Sequence, residues 1–112
     1  MSQPIDFLDF LTYARDHIAP AVTVQRLLVL LHVARSEGLS QNELAQQLAG
    51  ISTTALSRNL ADLSAVTSRK TPGPALIEQH LDQANLRKKR IYLTDKGHRF
   101  MKRWARYLPD DL

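Results

Sequence analysis

The sequence predicts a mainly α-helical domain that carries one small β-hairpin. Three stretches make that prediction. Two short helices, each with its own capping residue, meet at Gly50; a breaker cluster, Thr71-Pro72-Gly73-Pro74, follows them; and after a polar turn Lys89, Ile91 and Leu93 alternate onto one face. Capped apolar periodicity of 3.6 marks helices, proline and glycine in quick succession mark a loop, and period-two alternation after a polar turn marks a hairpin.

Taken in order, residues 4–18 fit a helix with Ile5, Leu8, Leu11, Ala14 and Ile18 on one face, widened by Phe7 and Phe10. That is more apolar surface than one core contact needs. Two readings fit it, a dimer interface or burial in the chain's own core. Pro20 is tolerated near the start of the next helix, which runs through Val24, Leu27, Leu28, Leu31 and Ala34 to a stop at Gly38. This most apolar segment is expected to be the central core helix, with His32 a packed or partly exposed histidine rather than a ligand.

Ser40 and Glu43 then have the spacing of a capping box, with Leu39 placed to staple onto Leu44. Leu44, Ala45 and Leu48 line the inner face of that helix, and Gly50 ends it. The next helix is the centre of the reading. Ser52 is its N-cap, Ile51 and Leu56 fall at staple positions, and Leu56, Leu60 and Leu63 make one buried stripe. Thr53, Thr54, Ser57 and Arg58 are left together on the opposite face. Short hydroxyls allow close approach to a DNA groove, and one arginine can reach a guanine edge or a phosphate. Residues 40–67 thus read as a helix-turn-helix.

Residues 76–93 read as the hairpin, with Lys89, Ile91 and Leu93 on one face and Asp82 to Asn85 in the turn. Arg87, Lys88, Lys89 and Arg90 put four charges in a row near its tip. Core packing does not explain such a run, whereas a flap lying on a phosphate backbone does; a charged edge that only prevents aggregation is the other reading. Thr94 and Asp95 open a last helix over 95–108, with Phe100, Met101, Trp104, Ala105 and Leu108 apolar and Lys96, Arg99, Lys102, Arg103 and Arg106 around them.

Charge and composition narrow the function. The 112 residues are enough for one domain, 1–112, with its own core. Net charge is +4, but from Arg58 to Arg106 twelve Lys or Arg face four acids, so the basic charge is concentrated in one half. This argues for a polyanionic partner, with nucleic acid ahead of an anionic membrane surface; a merely solvated basic face is the other reading of the charge. No apolar run approaches a membrane span, and the first residues lack the pattern of a signal peptide. A soluble, cytoplasmic chain is expected, and the lack of cysteine fits a reducing compartment. No catalytic residue, cofactor or metal site is expected: there is no thiol and no glycine-rich phosphate loop, and the histidines at 17, 32, 80 and 98 have no metal-ligand spacing.

From Val22 to Phe100 the sequence resembles the winged helix-turn-helix of the MarR (multiple antibiotic resistance regulator) family of bacterial transcription factors. The words that carry the resemblance are Leu44-Ala45, Leu48, Ser52 to Leu63, Leu76-Ile77-Glu78 and, most specific, Arg87-Lys88-Lys89-Arg90-Ile91-Tyr92-Leu93-Thr94-Asp95-Lys96-Gly97. The resemblance implies DNA binding with the second helix in the major groove and the wing on the backbone or minor groove; a homodimer is expected from the surplus apolar surface of the first and last helices. It carries over no ligand pocket, so an effector stays unknown. The chain departs from the family pattern by an extra residue at Ala49-Gly50, by a longer connection from Thr71 to Ala75, and at the wing tip, where an acid and an arginine are matched loosely by Asp82 and Arg87. The competing function is a winged helix that serves as a protein-interaction module, in a replication or phage complex, without sequence-specific regulation.

Overall fold

Four hydroxyl side chains set where four of the helices begin. In the computed structural model, which describes residues 4–107, the Thr23, Ser40, Ser52 and Thr94 side chains accept from the backbone N–H groups of Arg26, Glu43, Ala55 and Gly97. These caps open α2 (Val24–Arg35), α3 (Gln41–Gln47), α4 (Thr53–Asp62) and α5 (Asp95–Trp104), while α1 spans Pro4–His17 and a 3-10 turn, Ala105–Tyr107, closes the described chain. Each cap satisfies an amide that the helix itself cannot. The capping box at α3 is complete, because the Ser40 N–H also donates to the Glu43 carboxylate at 3.1 Å. The second helix starts at Val24 rather than near Pro20, since Thr23 supplies the cap.

The hairpin forms as β2 (Ile77–Leu81) against β3 (Lys89–Leu93), antiparallel, with Ile77 opposite Leu93 and Leu81 opposite Lys89. A third strand joins it. Leu39–Ser40, β1, pairs with the other edge of β3, Leu39 opposite Ile91 and Ser40 opposite Arg90, so the sheet order is β1-β3-β2. Two residues have no readable period, and their capping role masked their strand role. Through β1 the helix-turn-helix is tied directly to the wing.

The core sits between α2, α3, α4, α5 and the inner face of the sheet. Leu56, Leu60 and Leu63 are fully buried, as the α4 stripe requires, and they meet Leu30, Val33, Leu44, Leu76, Ile91 and Leu93. In α2 the buried residues are Leu27, Val29, Leu30 and Val33, whereas Val24 and Leu28 are exposed. The expected face was therefore turned. A helix that is apolar nearly all round does not choose its inner side by periodicity; packing against α3, α4 and β3 chooses it.

The first helix is corrected likewise. Phe10, Ala14 and Ile18 are buried, while Phe7, Leu8 and Leu11 remain 55%, 61% and 43% exposed; the side chain of Ile5 and all of Leu108 lie outside the described residues. The buried side is fixed by α5. The Phe10 and Trp104 rings stack at 4.1 Å, and the Trp104 indole N–H donates to the Phe10 carbonyl at 2.9 Å. Phe100 and Trp104 are consumed by this contact, so α5 contributes no large exposed apolar residue among those described. Of the first and last helices, it is α1 that carries surplus apolar surface.

Two glycines do steric work. Gly50 takes φ +89 in the turn between α3 and α4, a left-handed conformation that costs an L side chain. Gly97 is buried against the Leu76 carbonyl, which a Cβ would strike. Thr94 completes the junction, its hydroxyl donating to the Ala75 carbonyl at 2.6 Å and its N–H to the Leu76 carbonyl at 3.0 Å. The Leu93-Thr94-Asp95-Lys96-Gly97 word is thus the joint that seats α5 on the start of β2.

Candidate nucleic-acid interface

The outward face of α4 carries Thr53, Thr54, Ser57 and Arg58, all exposed. Among the described residues none of the four side chains is engaged in a hydrogen bond or ion pair. Their setting is rigid all the same, because the neighbouring polar residues of α4 are fixed. Asn59 is buried, donates to the Ala55 carbonyl at 2.8 Å and accepts from Arg26 Nε at 3.1 Å. The same guanidinium pairs with Asp62 at 2.7 Å. The other Asp62 oxygen accepts from the N–H and hydroxyl of Ser68 at 2.9 and 2.8 Å.

Arg26 on α2 therefore sets the rotation of α4 about its own axis. Partial burial alone would raise the Asp62 pKa, but the Ser68 bonds and the charges of Arg26 and Arg69 hold it below its ordinary value. This brace was not read from the sequence. Asn59, a polar residue beside the Leu56-Leu60-Leu63 stripe, was the one available signal; Arg26 and Asp62 gave none.

The four wing cations have different surroundings. Arg87 and Lys88 lie in the turn, Lys89 and Arg90 in β3. Arg87 and Lys89 are exposed, with no ion pair among the described residues. Lys88 reaches the Glu43 carboxylate at 3.4 Å, which docks the wing on the first turn of α3. Arg90 donates to the Gly38 carbonyl at 2.7 Å and pairs with Asp82 at 2.9 Å. The acid of the wing is thus matched by Arg90, not by Arg87. Asp82 also accepts from the Ala84 N–H at 2.8 Å, the strongest of the causes that lower its pKa, and so shapes the turn. A strand position two residues inside the turn can send its guanidinium back across the sheet edge to Gly38, while Arg87 is held at the tip by its N–H bond to Asn85 at 3.2 Å.

Behind the wing, Glu37 accepts from the Leu93 N–H at 2.8 Å and pairs with His98 of α5 at 3.0 Å. The bond to Glu37 is the main reason that the His98 pKa is raised. For Glu37, burial pulls upward, but the His98 and Leu93 bonds bring its pKa below the ordinary value. Among the described residues no group of three or more His, Asp or Glu could hold a metal ion, and none of their helices is long and apolar enough to cross a membrane.

A capped helix-turn-helix, a three-stranded sheet whose outer hairpin projects beside it, and a closing helix define the winged-helix class. No protein-family model matches the sequence, and no curated protein matches it. Solved structures do match in fold. The chain is 21% identical to MepR of S. aureus in a MepR–DNA complex, covering 92% of this chain and 76% of that one with a TM-score of 0.68. A mutant MarR from E. coli complexed with operator DNA is 18% identical, covers 96% and 71%, and has a TM-score of 0.63. The PcaV transcriptional regulator from Streptomyces coelicolor is 17% identical over 93% and 70%, with a TM-score of 0.60. The chain has a MarR-like winged-helix fold.

Proposed function

We propose that the chain, as one winged-helix domain, is a sequence-specific regulator that binds duplex DNA, with α4 in the major groove and the wing on the backbone or minor groove. The observation that carries this reading is the outward face of α4. Thr53, Thr54, Ser57 and Arg58 are exposed and uncommitted, while the residues around them are pinned by Arg26, Asn59 and Asp62. A pre-organised polar face costs little to dock. Arg87 and Lys89 are the wing cations free to meet phosphate, and Lys88 can exchange Glu43 for one; Arg90 holds the wing in place and contributes charge at a distance.

A homodimer is part of the proposal. Phe7, Leu8 and Leu11 form an exposed apolar row on α1 that a second copy would cover, giving an inverted-repeat site with half-sites about one helical turn apart. The rival, a protein-interaction module, would use the same apolar row and leave α4 idle. Selection from a random duplex pool, followed by titration of the recovered site over a salt series, separates the two. The expected result is an enriched palindromic site bound by two copies, with affinity falling steeply as salt rises. An absence of duplex binding at low salt overturns the proposal.

A further inference from the structure

The connection between α4 and β2 is a second basic hairpin. Val66 and Pro72 form a bridge. The Thr67 N–H donates to the Thr71 carbonyl at 2.9 Å, the two threonine hydroxyls lie 2.6 Å apart, and the Lys70 N–H donates to the Thr67 carbonyl at 3.0 Å. Asp62, at the end of α4, holds the near side through Ser68. A loop of this length with so many internal bonds is a built element rather than slack chain.

Its tip is Ser68-Arg69-Lys70, all three exposed. Neither Arg69 nor Lys70 makes an ion pair among the described residues; Asp62, the one acid near enough to feel Arg69, is already paired with Arg26 and bonded to Ser68, and no acid occurs in the sequence from 63 to 77. Lys70 adopts φ +63, the left-handed region in which glycine or asparagine is the usual occupant. A long cation is thus held out at a backbone position that glycine would occupy with less strain. Arg69 also shares one depression, of about 590 Å³, with Arg58 of α4 and with Thr23 and Gln25 at the start of α2, its floor carrying the Arg26, Asn59 and Asp62 brace. The wing, by contrast, is docked on the start of α3 through Lys88 and Glu43.

We propose that the 64–75 hairpin is a further DNA-contacting element, in which Arg69 and Lys70 bind backbone phosphates next to the groove that α4 enters. The inference rests on the reading of α4 as the DNA-facing helix. Charge complementarity selects the polyanion, and continuity with Arg58 selects the same duplex rather than a separate ligand. The element would extend the contact beyond the C-terminal end of α4.

The test uses the full chain and a random-sequence duplex, with affinity followed by fluorescence anisotropy over a potassium chloride series. The Arg69→Gln, Lys70→Gln double variant is expected to flatten the slope of log K against log salt by about 0.9 per phosphate lost, roughly 1.8 in all. Lys70→Gly serves as the second variant, since it removes the charge and relieves the left-handed strain together. Its thermal midpoint is expected to hold or rise while its salt slope flattens by about 0.9. Wild-type binding with a steep slope that both variants leave unchanged overturns this inference alone. Failure of the wild type to bind duplex DNA overturns the function proposed above and takes this element with it.

Discussion

Arg58→Ala separates base reading from general attraction. Arg58 is exposed, lies off the Leu56, Leu60, Leu63 stripe and has no ion-pair partner among the described residues. Its removal is therefore expected to change folding stability by no more than about 0.5 kcal/mol. The structure places it beside Ser57 and one turn beyond Thr54, so it is the one long cation on a face of short hydroxyls. A bidentate contact from such a side chain to guanine supplies roughly 1–3 kcal/mol of discrimination, which corresponds to about 5- to 150-fold in the affinity ratio. The assay titrates wild type and variant against the selected site and a random duplex at one salt concentration, with a thermal melt alongside. The expected outcome is a large loss on the selected site, a small loss on random DNA and an unchanged melt. Equal losses on both DNAs would assign Arg58 to a phosphate, and a large fall in melting temperature would refute the claim that the residue is free of the fold.

Other residues of the brace and the joints give contrasting outcomes. Arg26→Ala is expected to destabilise the fold by about 2 kcal/mol, because it strips Asn59 and Asp62 of a partner, discounted here since the Arg26 and Asp62 side chains are 22% and 20% exposed; chemical denaturation measures it, and both DNAs should weaken together. Gly97→Ala is expected to cost about 1–3 kcal/mol, since the added methyl meets the Leu76 carbonyl, and to lower the melting midpoint by several degrees. His98 is expected to titrate above its ordinary value in an NMR pH series and to return toward it in Glu37→Gln. Because its folded pKa is raised, the stabilising contribution is complete below about 6.5 and is lost as pH rises through the folded value. Glu37 works in the other direction, its lowered pKa giving a contribution present above about 4.5 and lost as pH falls. The pair should therefore add stability in the mildly acidic range between them, and His98→Gln should flatten that part of the melting profile.

What was legible in the sequence is what short-range rules encode. The caps at Ser40, Ser52 and Thr94, the stripe on α4 and the presence of a hairpin within 76–93 all follow from spacing within one turn or one strand, and the structure has them. Features that depend on which element lies across from which were not legible. The inner faces of α1 and α2 were turned because both helices carry apolar residues on several sides, and only Trp104, α4 and β3 decide between them. The β1 strand is too short for a pattern, and the Arg26 brace joins residues more than thirty positions apart. For the wing, a run of four cations looks uniform in sequence. Pairing across the sheet edge makes Arg90 a strut while Arg87 and Lys89 stay exposed. The acid-arginine pattern of the resembled family was matched only loosely by Asp82 and Arg87, and in the fold Asp82 pairs with Arg90 instead.

The central claim is that duplex DNA lies across the outward face of α4 and the wing. Amide chemical-shift mapping of the labelled chain, titrated with the selected duplex, tests it residue by residue. The largest changes are expected at Thr53 to Arg58 and at Arg87 to Lys89, with the buried Leu60 and Ile91 little affected. Changes confined to the exposed Phe7, Leu8 and Leu11 row of α1, with α4 and the wing unmoved, would contradict it.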